Sequence, residues 1–259
     1  MKQLTVYDWR NNENLYNPSL PYEHFITAQK TIIHQRLNRE HGDILILTTH
    51  PPTITLGARS VREQLIHIRA LPSHITDADT MIPDEELLRQ SVAYLRHFYD
   101  INLVKTNRGG SVWYHDNGVL QLYLIMEVPP FGVTNIVYSL EETLLRMLND
   151  IGIPATRADE SMRRTDKSFL GLWVNEKKIA AIGMRAQCHN GRFISMFGAS
   201  LNINPCLPAC NLIDPCGIPN RQMTSVAAEL HNNYSVNDVR LTSLLYKHIS
   251  NIFDVTIVK

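Results

Sequence analysis

The sequence predicts an α+β fold, and three observations predict it. Segments of helical period and short β-type runs follow one another without the strict strand–helix alternation that builds a parallel α/β barrel. The later half carries two successive hairpin patterns, which call for antiparallel pairing. With 259 residues, 44% of them hydrophobic and 19% charged, the chain has enough apolar material for a substantial core and none of the bias of disordered or fibrous sequences. We expect one domain over 1–259, with a mixed or antiparallel sheet packed with helices.

Phe25, Ile26, Ala28, Ile32, Ile33 and Leu37 recur at helical spacing and predict a helix over about 23–39. Asp43 to Thr49 reads as a short strand leading into Pro51-Pro52, and Thr53 to Leu56 as a second one ending at Gly57. Leu88, Val92, Leu95 and Tyr99 repeat at i, i+4, i+7 and i+11, so about 84–99 is expected to be helical with that stripe inward. Three β-type stretches follow, Ile101–Lys105, Ser111–His115 and Val119–Met126, separated by Arg108-Gly109-Gly110 and Asp116-Asn117-Gly118. Leu140, Leu144, Met147 and Ile151 mark another amphipathic helix, ended by Gly152 and Pro154. The polar stretch Arg157 to Lys167 reads as one long mobile loop. Leu172–Val174 and Lys178–Met184 form a hairpin turning at Asn175-Glu176. A second hairpin joins the latter strand to Phe193–Ile203 through His189-Asn190-Gly191. Leu241, Leu245, His248 and Ile252 predict a last helix, with a cap within Ser235 to Asp238.

Lys+Arg 25 balance Asp+Glu 25, so no global basic field exists to hold nucleic acid or anionic lipid. Met1–Leu20 lacks the apolar core of a signal peptide, and no run approaches 20 apolar residues. The chain therefore reads as soluble and cytoplasmic. Cys188, Cys206, Cys210 and Cys216 are too few for a disulfide scaffold; Cys206-x3-Cys210-x5-Cys216 lacks the tight ligand pairs of structural zinc.

Three local patterns can carry chemistry. Cys216 sits in Asp214-Pro215-Cys216-Gly217-Ile218, where proline fixes the approach and glycine leaves the backbone open beside the thiol. The N–H groups there are candidate donors to an oxyanion. A nucleophilic thiol at neutral pH needs a cation nearby, and an inert buried cysteine is the alternative. Lys178 opens Lys178-Ile179-Ala180-Ala181-Ile182-Gly183, at the edge of a small, apolar strand; one of Lys177 and Lys178 points outward. Arg108-Gly109-Gly110-Ser111-Val112-Trp113-Tyr114-His115 offers backbone amides, a guanidinium and an aromatic wall, but no Gly-Lys-Ser/Thr of a phosphate loop and no G-x-G-x-x-G. Arg157, Arg163, Arg164 and Lys167 form either a solvated loop or a face for an acidic carrier protein. No H-E-x-x-H or G-x-S-x-G occurs.

Taken in order, these pieces resemble the lipoyl(octanoyl) transferases of lipoate biosynthesis. The match begins at Pro21-Tyr22-Glu23 and Ala28-Gln29 and continues through Thr49-His50-Pro51-Pro52-Thr53-Ile54-Thr55-Leu56-Gly57, close to the family's H-P-P-x-x-T-L-G. Asn107 to His115 is similar to R-G-G-x-V-x-Y-H, and Gly171-Leu172-Trp173-Val174 with Lys178 to Gly183 to G-V-W-V…K-I-A-x-I-G. Leu201-Asn202-Ile203-Asn204, Pro215-Cys216-Gly217-Ile218 and Thr224-Ser225 complete a match over about 20–230. The resemblance implies a biotin/lipoate protein ligase-like catalytic domain. It implies transfer of an octanoyl group from acyl carrier protein to a lysine of lipoyl domains, those of 2-oxoacid dehydrogenases or the glycine cleavage H protein. Cys216 is then the acyl-accepting nucleophile, Lys178 its activating cation, and Arg108 to His115, Ala181 to Gly183 and Gly198 to Ser200 the acyl pocket. No metal or cofactor is implied, because a thioester is already activated.

The chain departs from that pattern at three places. His115 is followed by Asp116-Asn117-Gly118-Val119 rather than G-P-G-Q, and Tyr114-His115-Asp116 is closer to the lipoate ligases. Phe197 stands where the family has a histidine, and the hairpin around Cys188–Phe193 is long. An ATP-dependent lipoate or octanoate ligase, and a non-catalytic paralogue that binds lipoyl domains or the carrier, remain the alternative readings.

Overall fold

The computed structural model describes residues 2–10, 21–77, 81–128, 132–231 and 238–259. In chain order the elements are β1 (Lys2–Asp8), α1 (Tyr22–Leu37), β2 (Asp43–Thr48), β3 (Thr53–Leu56), α2 (Val61–Leu65), α3 (Ser73–Thr76), α4 (Asp84–Tyr99) and β4 (Asn102–Lys105). There follow β5 (Trp113–His115), β6 (Val119–Ile125), β7 (Glu127–Val128), α5 (Val133–Asp150), β8 (Thr156–Arg157), α6 (Glu160–Thr165) and β9 (Gly171–Val174). The chain closes with β10 (Lys177–His189), β11 (Arg192–Asn202), α7 (Leu207–Cys210), α8 (Val226–Glu229), α9 (Asp238–Phe253) and β12 (Val255–Val258). No helix among these is long and apolar enough to cross a membrane.

A nine-stranded sheet runs β12-β1-β2-β6-β11-β10-β9-β8, with β7 on β11; a three-stranded sheet runs β4-β3-β5. Pairing is parallel at β12-β1-β2 and at β3-β4 and antiparallel elsewhere, which is the mixed α+β arrangement expected. Helices cover both faces of the large sheet. Successive side chains of β2 therefore both find cover: Leu45 and Leu47 join the core beneath α5 and α9, while Ile44 and Ile46 join Phe25, Ile33 and Leu37 of α1. The small sheet has its own core, built with α2, α3, α4 and the segment around Ile213, and the site lies where the two sheets meet.

Two hairpins follow the expected lines. Asn175 and Glu176 both have positive φ, as a tight two-residue β-turn requires. The second turn is narrower than expected: His189 pairs with Arg192, leaving Asn190-Gly191 as the loop, so β10 and β11 reach five residues beyond Met184. α4 has the expected span but a rotated face. Its buried residues are Leu87, Ser91 and Leu95, while Val92 and Tyr99 are exposed. Ser91 tolerates burial because its hydroxyl donates to Leu87 O at 2.7 Å. The stretch expected as a mobile loop, Arg157–Lys167, instead contains α6, capped by Asp159 and anchored by buried Arg163 on buried Glu141 of α5. The expected cap around Ser235 lies outside the described residues.

Candidate active site

The thiol is presented by a 3₁₀ turn, Pro215–Gly217, in which Cys216 takes the left-handed conformation at φ 59°, ψ 14°. A non-glycine residue there is held against its preference. The restraint is visible: Cys216 N–H donates to Val112 O at 3.0 Å, Gly217 N–H to Asp214 O at 2.9 Å and Ile218 N–H to Pro215 O at 3.2 Å. This overturns one sequence expectation, since the amides beside the thiol already donate to backbone carbonyls, of Val112 and of the turn itself, and are not aimed at an oxyanion. Gly217 has φ +78°, and a Cβ there would press on Ser111 and His67, so both conformation and space call for glycine.

Lys178 comes from the large sheet. A bulge at Ile179 shifts the register between β9 and β10, pairing Lys178 with Trp173 and Ala180 with Leu172. The Lys178 backbone is clamped again on its other side, donating to Gln222 O at 2.9 Å and accepting from Thr224 N–H at 3.0 Å. Its side chain is fully buried, while Lys177 is exposed. The ammonium donates to Ser168 O at 2.7 Å, lies 3.2 Å from Cys216 Sγ and sits 4.8 Å above the Trp173 ring. A desolvated ammonium whose partners are a carbonyl, a π face and a sulfur is a strong local field aimed at the sulfur.

Beside this pair opens a cavity whose walls come from both sheets. The loop Arg108-Gly109-Gly110 lies directly on β10: a Cβ at Gly109 would come within 2.7 Å of Met184 O. Arg108 is buried, and its guanidinium reaches Thr55 Oγ1 at 2.8 and 3.1 Å, Thr55 O at 2.9 Å and Gly109 O at 3.1 Å, all neutral acceptors. Burial holds it below the usual arginine range. Trp113, His115, Ala181, Ile182, Gly183, Gly198, Ala199 and Ser200 line the cavity with Arg108, Gly109 and Gly110, and Cys216 stands at its edge. Ser111, Val112 and Tyr114 do not line it. Val112 supports the thiol turn through its carbonyl, and Tyr114 turns its hydroxyl to Asp116 at 3.3 Å on the opposite face of β5.

Sequence reasoning missed part of the wall. Tyr22, Gln121, Tyr123, Lys167, Ser168 and Leu170 also border the cavity. His50 stands behind it, 2.8 Å from Tyr123 Oη through Nε2, and His115 Nε2 is 3.0 Å from Thr55 Oγ1. Burial lowers His50 to about 3, and burial, with His50 and Arg108 nearby, holds His115 well below the ordinary histidine value. Both rings are neutral at pH 7. Tyr22 and His50 stood in quoted motifs without a role; Ser168 carried no local signal.

Phe197 is buried on the wall, with φ +66°. Asp116, the residue that suggested a ligase, is committed to structure: it accepts from Gly118 N–H and Cys206 N–H, each at 2.8 Å, and from Tyr114. The three arginines of the basic cluster are paired within the chain, while Lys167 borders the cavity. Arg163 is buried on Glu141, Arg157 pairs with Glu142 at 2.7 Å and Arg164 with Glu160 at 3.2 Å. Cys210 is buried, with its thiol pushed up by desolvation. Among the described residues no His, Cys, Asp and Glu side chains converge in threes to hold a metal ion.

A family model described as the lipoyl protein ligase A/B catalytic domain matches residues 21–245. An octanoyltransferase of Desulforamulus reducens is 30% identical over 237 residues, covering 91% of this chain and 88% of that protein. An octanoyltransferase of Chloroflexus aggregans is 31% identical over 234 residues, 89% of this chain and 86% of that one. Among solved structures, a bipartite lipoate protein ligase from Thermoplasma acidophilum aligns at a TM-score of 0.60 and 14% identity, over 100% of this chain and 86% of that chain. A lipoate-protein ligase A bound with ATP aligns at 0.57 and 14%, over 100% and 89%. At such identities the likeness is one of fold.

Proposed function

The chain belongs to the lipoyl protein ligase A/B catalytic domain family, and from that premise we propose that it transfers an octanoyl group from acyl carrier protein to a lysine of a lipoyl domain, through a thioester on Cys216. The observation that carries this reading is the 3.2 Å contact between the buried Lys178 ammonium and Cys216 Sγ at the edge of a largely apolar cavity.

In the first half-reaction the Cys216 thiolate, its charge balanced by Lys178, attacks the donor carbonyl carbon. Arg108, facing the cavity with neutral partners only, supports the oxygen as it gains charge. The carrier thiolate leaves and takes a proton from water, and the acyl chain occupies the cavity between Trp113 and β10–β11. In the second, the acceptor lysine attacks the thioester carbonyl. The C–N bond forms, the nitrogen gives up a proton to water, the C–S bond breaks, and sulfur returns as the thiolate to its place beside Lys178. The neutral wall of Tyr22, His115 and Tyr123 suits a chain without charge.

The test is intact-protein mass after mixing the chain with octanoyl acyl carrier protein in the absence of ATP, beside Cys216→Ala. A single octanoyl addition removed by hydroxylamine, absent from the variant and chased by an apo lipoyl domain, is the expected result. No adduct with several carrier-bound acyl chains, from folded protein, overturns the proposal.

A further inference from the structure

The cavity has a direction, and strands from both sheets give it. On β10, Lys178 holds the thiol and is followed by Ala181 and Gly183; paired with these two on β11 are Ser200 and Gly198. All four line the cavity, so its floor on the large sheet is made of small side chains. On the other wall, Val112 O accepts from Cys216 N–H, and His115, three residues further along the chain, has its ring 5.3 Å from that of Tyr22. Tyr22 Oη in turn lies 3.4 Å from Tyr123 Oη, and Tyr123 pairs with Gly198. Both paths lead away from Cys216 and end at one aromatic wall. The lining of β11 runs from Ser200 to Phe197, which places Phe197 in that wall.

Phe197 reaches this position against the alternation of its strand. Ile194 and Met196 join the core beneath α1, whereas Ala199 and Leu201 join the opposite core beneath α5 and α9. By that period Phe197 belongs with Ala199. Its φ of +66°, unusual for a bulky residue, turns it over, and it packs in the α1 core with Met196, Phe25 and Tyr123. Tyr123 and His115 are tied to His50 and Thr55 through their polar atoms. Phe197 brings bulk alone.

We propose that Phe197 sets the length of the acyl chain by closing the cavity at the end remote from Cys216. The inference rests on the acyl-transfer reading above and narrows the substrate of that same site to straight chains of medium length. From Ala181, the first residue of β10 on the cavity, to Met184, the partner of Phe197, the strand advances about 10 Å. With C–C bonds of about 1.5 Å an extended chain advances about 1.3 Å per carbon, so about eight carbons fill that run. The small floor residues give such a chain its width, and further carbons meet the Phe197 ring.

The experiment measures loading of the protein by intact mass from acyl carrier proteins that bear hexanoyl, octanoyl, decanoyl, dodecanoyl or hexadecanoyl chains. The parent is expected to load octanoyl faster than dodecanoyl by about tenfold or more, the scale on which a closed apolar pocket rejects excess methylenes. In Phe197→Ala the dodecanoyl-to-octanoyl ratio is expected to rise by about 100-fold, and in Phe197→Leu, which keeps apolar bulk for the core, by about tenfold. The hexanoyl-to-octanoyl ratio should stay near the parent value in both, since neither chain reaches the ring. A parent that loads dodecanoyl as fast as octanoyl overturns the assignment without any variant. So does a ratio within about threefold of the parent in cooperatively melting Phe197→Leu, or an equal loss on every chain, which marks Phe197 as packing for the core. A parent that loads no chain refutes the acyl-transfer reading itself, whereas one that loads octanoyl while the variants leave the ratio unmoved refutes the role of Phe197 alone.

Discussion

Replacing Lys178 by methionine separates that residue's charge from its bulk. The ammonium lies 3.2 Å from Cys216 Sγ and 2.7 Å from Ser168 O, and none of these partners is a carboxylate. At an effective dielectric constant of about 20, unit charges that far apart attract by about 5 kcal/mol. Cys216 is partly open to solvent, and screening leaves about 3 kcal/mol, or about 10²-fold in rate. Folding is affected much less. Methionine keeps an unbranched apolar stem and removes a desolvated charge, and this gain is set against the Ser168 carbonyl left without its donor, a loss of about 1–3 kcal/mol. We expect Lys178→Met to melt within about 4 °C of the parent. Alkylation of Cys216 by iodoacetamide at pH 7, and octanoyl loading, should both slow by about 10²-fold. Alkylation within about threefold of the parent, in a variant that still melts cooperatively, refutes the electrostatic role assigned to Lys178.

Acid should weaken the fold through His50 and His115. Both are neutral when folded, whereas the unfolded chain binds their protons below about pH 6.5, so their contribution is full above that value and falls as pH drops, by up to about 1.4 kcal/mol per unit for each. Urea midpoints should decline from pH 7.5 to 5, and His50→Gln should flatten that slope; an unchanged slope removes His50 from the account. Glu141→Gln leaves Arg163 buried without its carboxylate and weakens the acceptor of Gly171 N–H, at a loss of about 3–5 kcal/mol, or about 10 °C in melting temperature. Adding Arg163→Met should recover part of it, and additive losses would contradict the pairing. Gly109→Ala places a Cβ 2.7 Å from Met184 O. The loop must lift from β10, so octanoyl loading should fall by about tenfold or more with a melting loss of about 1–3 kcal/mol; loading at the parent rate would show that this approach is not needed.

Elements with strong local signals were legible in the sequence. The helical period locates α1, α4, α5 and α9, and the turn residues locate both hairpins. What escaped depends on distant partners. β1 and β12 pair with each other in parallel at the end of the large sheet, and neither carries a local cue to a strand more than 240 residues away. The charges of 157–167 look solvated until α5 supplies Glu141 to bury Arg163. α4 turned its face because a serine that bonds its own backbone buries easily, whereas apolar pattern alone points to Val92 and Tyr99. At the site, motif order singled out Cys216 and Lys178. The wall residues Tyr22 and Tyr123, and the Ser168 carbonyl, are joined to them only through space. The amides beside the thiol misled because neighbouring backbone carbonyls already accept from them.

The two groups proposed to react belong to different parts of the molecule. Cys216 rides on a turn tied to Val112 and, through Asp214, to Arg69 and His67, all from the side of the small sheet. Lys178 is set by the bulge of β10 and by Thr224 on the large sheet. Their 3.2 Å contact therefore depends on how the sheets dock, and the docking surface is the cavity wall itself. Arg108-Gly109-Gly110 lies on β10, Arg108 binds Thr55 of β3, and Ser168, on the segment that α6 introduces, holds the ammonium from above. Glu141 ties this last segment to α5 by accepting from both Arg163 and Gly171 N–H. A substitution that loosens the seam should consequently reduce Cys216 reactivity without touching either reacting group. Glu141→Gln is the cleanest instance, and its alkylation rate, measured well below its melting temperature, should fall with its stability. If the rate holds while stability drops, the dyad is positioned locally and the seam serves the fold alone.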